Sequence, residues 1–197
     1  MVESKSSRRG ALRAYIRDHL ASILAILVSV VSLGVALSSN RTQERLLAAS
    51  AWPTLEFGTG NRSDSNTDEI TLVLGNNGVG PARLRGVRVF YKGEFAGDSR
   101  RLMKQCCEAG DNPITDVTSG TRGRVLKAGD QIVLITLPKE TNSDELWKRF
   151  DRARFDVTVK ACYCSVLDDC WMFDSTKMDP EPVRSCPVLK AEEEWNG

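Results

Sequence analysis

Between Leu20 and Leu37 the chain reads LASILAILVSVVSLGVAL, without a charge or a proline and broken only by serines and one glycine. At about 1.5 Å per residue, and with Ser38 and Ser39 added, such a helix approaches the roughly 30 Å thickness of a bilayer's hydrocarbon layer. It also satisfies its own backbone hydrogen bonds in lipid. A core helix of a small soluble domain would show a polar stripe, and this run has none. A cleaved signal peptide is the other reading, because Ala36-Leu37-Ser38 offers small residues for cleavage. Signal peptides, however, have a short basic start and an apolar region of about 7 to 15 residues. Here a polar leader of 19 residues comes first, so an uncleaved signal anchor is expected.

Charge sets the expected orientation. Residues 1–19 carry five basic and two acidic side chains, and the rest of the chain is close to balanced, for a total of +1. Lys5, Arg8, Arg9, Arg13 and Arg17 precede the span, whereas Arg41 and Arg45 follow it. The positive-inside rule then puts the N-terminus in the cytoplasm and the chain from about residue 40 outside. The near-neutral remainder lacks the clustered cations that displace phosphate counterions, so nucleic acid is not an expected partner. Ser29, Ser32 and Ala36 place small residues at nearly helical spacing, which allows self-association through the span.

Beyond the span, residues 40–51 hold no glycine or proline and read as a helical stalk, ended by Trp52-Pro53 because the residue before proline is pushed out of helical geometry. Strands are expected near 52–57, 70–74 and 83–91, the last bulged at Gly86, and most firmly at 131–137 after the Ala128-Gly129-Asp130 turn. Residues 97–124 read as a long loop. Asn142, with Glu145 three residues on, suits a capping box for one short helix whose inner face holds Leu146, Trp147 and Phe150. Alternation from Phe155, then a reversal at Leu167-Asp168-Asp169 into CWMF, gives a strand, a tight loop and a strand. From residue 175 periodicity is lost, and an extended tail is expected. The fold class is therefore mostly β: a leader at 1–19, a transmembrane helix at 20–39, a stalk at 40–51, and an immunoglobulin-like β-sandwich at 52–174. Of the four tryptophans, two are expected in the core, one near the membrane and one, Trp195, in the tail.

Six cysteines, Cys106, Cys107, Cys162, Cys164, Cys170 and Cys186, all follow the span. Outside the cytoplasm such cysteines are normally structural disulfides, each contributing roughly 2 to 4 kcal/mol. Cys164 and Cys170 bracket the reversal and form the best pair. Cys162 shares a strand face with Cys164 and is expected to join Cys106 or Cys107, leaving Cys186 to staple the tail to the one remaining. The competing reading is a metal or redox site at Cys162, Cys164 and Cys170. Their spacings match no usual zinc ribbon, Cys-x-x-Cys is absent, and the single histidine, His19, sits at the membrane edge, so no metal or other cofactor is assigned.

Catalysis is not expected either. A Ser or Cys triad lacks its histidine base, and the acidic pairs Asp168 with Asp169 and Asp64 with Asp68 read as solvated turn residues. Gly78-Val79-Gly80-Pro81-Ala82 lacks the third glycine and the following helix of a phosphate loop.

The basic leader, the span, the stalk ending in Trp52-Pro53, the run NNGVGPARLRGVRVFY and the hairpin CYCSVLDDCW together resemble a family. It is a group of small single-pass proteins of Gram-negative bacteria with an Asn-x-Gly-x-Gly-Pro-Ala segment and a Tyr-Cys-Ser-Val…Cys-Trp segment. The resemblance covers most of the chain and implies an inner-membrane location with a periplasmic domain. It carries over no catalytic residue. The expected function is a membrane-tethered interaction module whose loops or edge strand meet another envelope protein, the alternative being a cysteine-based metal or redox sensor.

Overall fold

The computed structural model describes the backbone of residues 4–63, 65–109 and 113–197, with side chains from residue 14 onward. It divides into two units, residues 1–49 and 50–197. In the first, α1 is one unbroken helix, Ser4–Ser50, so the apolar run and the polar segment after it share a single rod. From residue 14 to residue 50 every side chain is exposed, including Leu20, Ile26, Val31 and Leu37. Exposed apolar surface of this extent marks a site of interaction with a membrane or a partner, and α1 is long and apolar enough to cross a membrane.

The second unit is β-rich, with two antiparallel sheets. In the first sheet β1 (Leu55–Arg62), β2 (Asp68–Asn76) and β6 (Gln131–Pro138) lie in the order β1-β2-β6. Along β2, Ile70, Leu72, Leu74 and Asn76 are buried and alternate with the half-buried Thr71, Val73 and Gly75, the period of two expected of a strand with one face inward. The β2–β6 register slips between Leu72 and Val73, skipping Leu134. That bulge explains why adjacent Leu134 and Ile135 are both buried.

The second sheet runs β4 (Glu94–Ala96), β3 (Ala82–Tyr91), β7 (Val157–Cys164), β8 (Cys170–Asp174), β9 (Glu181–Val183), and β5 (Val125–Leu126) pairs with the start of β3 beyond β4. The β3–β7 ladder breaks between Leu84 and Gly86, so Arg85 is the extra residue of a bulge at the expected place. Lys92 and Gly93, both at positive φ, turn β3 into β4. Side chains of both sheets join one buried core, which also takes in Phe150, Leu102, Met103 and Trp195.

Three features depart from the sequence expectation. The segment read as a loop carries a helix, α2 (Ser99–Cys107), whose first turn is capped by Asp98 accepting from the Arg101 N–H at 2.8 Å and whose Leu102 and Met103 are fully buried. The other short helix, α3 (Asp144–Ala153), starts one residue later than the capping box suggested. Ser143 Oγ is the cap, accepting from Leu146 N–H at 3.3 Å. Asn142 instead clamps residue 115, its amide donating to Thr115 O at 2.7 Å and Pro138 O at 2.8 Å while Oδ1 accepts from Thr115 N–H. The tail is extended yet packed. It contributes β9, and Trp195 is 1% exposed, its backbone N–H donating to Val87 O at 2.8 Å. Leu189 lies over Gly86, where an added Cβ would come within 2.6 Å of Leu189 Cδ1.

The entry of the chain into the domain is held by the segment once compared with a phosphate loop. Val79 and Gly80 N–H groups both donate to Trp52 O, and Asn77 N–H donates to Thr54 O at 2.8 Å. A Cβ on Gly80 would stand 2.1 Å from Ala51 O, and one on Gly78 2.4 Å from Thr54 N, so both glycines are required by close backbone approach. Asn76, fully buried, sits at the centre. Its amide donates to Gly80, Leu126 and Lys127 carbonyls and its Oδ1 accepts from Thr54 and Gly78 N–H groups.

Candidate functional site

Four of the six cysteines converge at one end of the second sheet. Cys162 and Cys164 are two residues apart on β7 and so share a face. Cys170 opposes Cys164 directly across the β7–β8 register, and these two are disulfide-bonded, the pairing that the tight reversal favours. Cys162 is bonded to Cys186, not to Cys106 or Cys107. Those two are adjacent at the end of α2 and are bonded to each other. The expected link from 162 to the 97–124 segment fails because the tail, turning back after β9, brings Cys186 to the same face of β7. The six cysteines of the chain all lie in these three bonds.

The two bonds on β7 are in contact, with Cys164 Sγ 3.8 Å from Cys186 Sγ. The sulfurs of Cys164, Cys170 and Cys186 all lie within 4.8 Å of one another. They form part of the wall of a cleft of about 560 Å³, which Arg85, Arg122 and Arg184 also line. Arg85 is the bulge residue of β3, thrust outward because it has no partner in the ladder. Arg122 Nε donates to Glu194 Oε2 at 2.8 Å. Glu194 is almost entirely buried beside Trp195, and its Oε1 has no hydrogen-bond partner among the described residues. At the rim Asp168, held at positive φ in the β7–β8 turn, pairs with Arg83. Among the described residues the side chains of Arg85 and Arg184 make no ion pair or hydrogen bond, so the cleft keeps uncompensated positive charge.

Farther along the same two strands, Lys160 Nζ lies 2.9 Å from Asp174 Oδ2 across the β7–β8 ladder. Burial would raise the Asp174 carboxyl, but hydrogen bonds from Lys160 and from the Thr176 hydroxyl and N–H outweigh it, and its pKa is brought down to about 2. Burial pushes the Tyr163 phenol up to about 12.

Of the acidic pairs, Asp168 is engaged by Arg83 and Asp169 is exposed. Asp68 bonds Lys139 at 3.0 Å, and Asp64 lies outside the described residues. His19 is on α1, in the other unit. Sequence reasoning missed the arginines, Glu194 and the Cys186 partner. Only Arg85 carried a signal, its neighbour Gly86 marking the bulge that exposes it.

Comparison with models of protein families, with curated proteins and with solved structures finds no match to this chain.

Proposed function

We propose that this chain is a membrane-tethered protein-interaction module. In this reading α1 is an uncleaved signal anchor in the inner membrane of a Gram-negative bacterium. Its basic end is cytoplasmic and the β-rich unit is periplasmic, with the two sheets forming an immunoglobulin-like sandwich. The chain then falls in the group of single-pass proteins that share its NNGVGPA and YCSV…CW segments, and in its disulfide-bonded state it acts without a catalytic centre or cofactor. Support for the anchor comes from the apolar sleeve of α1, and support for an oxidising compartment from the three disulfides.

One observation carries the interaction. β1 is an eight-residue edge strand that pairs only with β2 among the described strands. Its outer row of backbone N–H and C=O groups is a template for an added strand. The expected partner is an extended segment of another envelope protein, or β1 of a second copy.

Photo-crosslinkers at Thr59 and Asn61 of β1, with one at Lys127 as a control outside β1, test this in native membranes. An adduct specific to the β1 positions supports the module, a second copy in the adduct identifying self-association. Recovery of uncrosslinked chain alone from the β1 positions refutes it.

A further inference from the structure

The Cys162–Cys186 and Cys164–Cys170 bonds lie side by side, and the spacing between them is informative. A zinc–thiolate bond is about 2.3 Å, so the edge of a tetrahedral tetrathiolate is about 3.8 Å. Cys164 Sγ and Cys186 Sγ are already 3.8 Å apart, and Cys170 Sγ, now bonded to Cys164, lies within 4.8 Å of Cys186 Sγ. Cys162 stands outside that group of three and is linked to it through its bond to Cys186, so loading requires its side chain to turn inward once the bond is reduced. We propose that, once both bonds are reduced, Cys162, Cys164, Cys170 and Cys186 bind one zinc-like divalent cation, so that disulfide pair and tetrathiolate site are alternative states of one cluster. No usual zinc-ribbon spacing is needed. Strand pairing presents three of the ligands from β7 and β8, and the tail folded back after β9 presents the fourth.

Charge supplies an independent argument. Zinc with four thiolates carries a net charge of −2, which is costly to hold near a protein core without cations beside it. The cleft walled by Cys164, Cys170 and Cys186 is also lined by Arg85 and Arg184, whose side chains are unpaired among the described residues, and by Arg122, paired to Glu194. The remaining acid at the cleft, Asp168, is already paired to Arg83. Two uncommitted guanidinium groups therefore face a site whose loaded form has two negative charges, and nearby guanidinium also favours the thiolate over the thiol. A purely structural disulfide pair is neutral and has no use for them.

The exchange balances with a dithiol as reductant. Each disulfide takes two electrons and two protons from one dithiol, which is itself oxidised to a disulfide, and two such reactions give four thiols. Cation binding then releases the four thiol protons. The proposal depends neither on the orientation of α1 nor on a partner for β1, and it can fail while both of those stand.

The test uses the full chain in detergent, reduced anaerobically and freed of reductant, with Cys106→Ser and Cys107→Ser introduced together to remove the vicinal thiols. Titration with Co²⁺ should saturate at one equivalent, with thiolate-to-metal charge-transfer and tetrahedral visible bands that Zn²⁺ abolishes. The unreduced protein should show neither band. Adding Cys186→Ser, or separately Cys170→Ser, should remove the four-thiolate spectrum. Absence of the bands from the reduced protein, or their survival in both of those variants, overturns the proposal. So does binding that appears only while Cys106 and Cys107 are intact, because it places the metal at the vicinal pair.

Discussion

Replacing Asn76 by alanine removes five side-chain hydrogen bonds at a position with no solvent exposure. Three carbonyls, of Gly80, Leu126 and Lys127, lose a donor, and the N–H groups of Thr54 and Gly78 lose an acceptor. With a net value of about 1 kcal/mol for each bond, and an added penalty for polar groups left buried, the loss should be about 3 to 5 kcal/mol. That is a large fraction of the roughly 5 to 15 kcal/mol that holds a domain together. Asn76→Asp should cost at least as much, because it directs a carboxylate oxygen at three carbonyls. The neighbouring Asn77 is the internal control. It is exposed and among the described residues its side chain bonds only Glu56, so Asn77→Ala should cost less than about 0.5 kcal/mol. Urea unfolding of the full chain in detergent, followed by tryptophan fluorescence, measures all three. A loss below about 1 kcal/mol for Asn76→Ala, or equal losses at 76 and 77, would refute the assignment of this network as the clamp on the chain where it enters the domain.

Three other outcomes are expected. Gly80→Ala should destabilise by about 2 kcal/mol or more, since its Cβ would overlap the Ala51 carbonyl, whereas Gly120→Ala, where an added Cβ meets open space, should change little in the same unfolding assay. Trp195→Ala should cost about 3 to 5 kcal/mol for loss of a buried aromatic; a value near zero would show the tail to be undocked. The Asp174 carboxyl is lowered in the folded state, so it contributes stability above its unfolded pKa near 3.8 that is lost as pH falls toward about 2. Allowing for the half-exposed Lys160, the contribution is about 1 to 2 kcal/mol, and acid titration of Asp174→Asn should lack this fall between pH 4 and 2.

What could be read from the sequence was local. The alternation at Ile70, Leu72 and Leu74, the glycine at the β3 bulge, and the turn between Cys164 and Cys170 each declare themselves within a few residues. The misses depend on groups far apart in the chain. Cys186 reaches Cys162 across 24 positions, and Trp195 reaches Val87 across more than a hundred, with no periodicity in a proline-rich tail to announce either. Helix α2 was hidden by brevity and by its cysteines: Leu102, Met103 and Cys107 are its buried residues, a face spaced for a helix whose last members read as disulfide candidates in a loop, although Asp98 is a legible cap. Asn142 was misread because its amide serves a long-range clamp to Thr115, leaving the local cap to Ser143. At the candidate site the sulfurs were visible as candidates, but the arginines around them were not, because three cations at positions 85, 122 and 184 share a cleft only after folding.

A tethered domain in an oxidising compartment is tested most directly by labelling native membranes with a maleimide that cannot cross the inner membrane, before and after reduction, followed by non-reducing peptide mapping. The account predicts no labelling without reduction, labelling from the outer face after an impermeant reductant, and linked peptides joining Cys164 to Cys170 and Cys162 to Cys186. Free thiols that react only once the membrane is permeabilised would contradict it and place the β-rich unit in the cytoplasm.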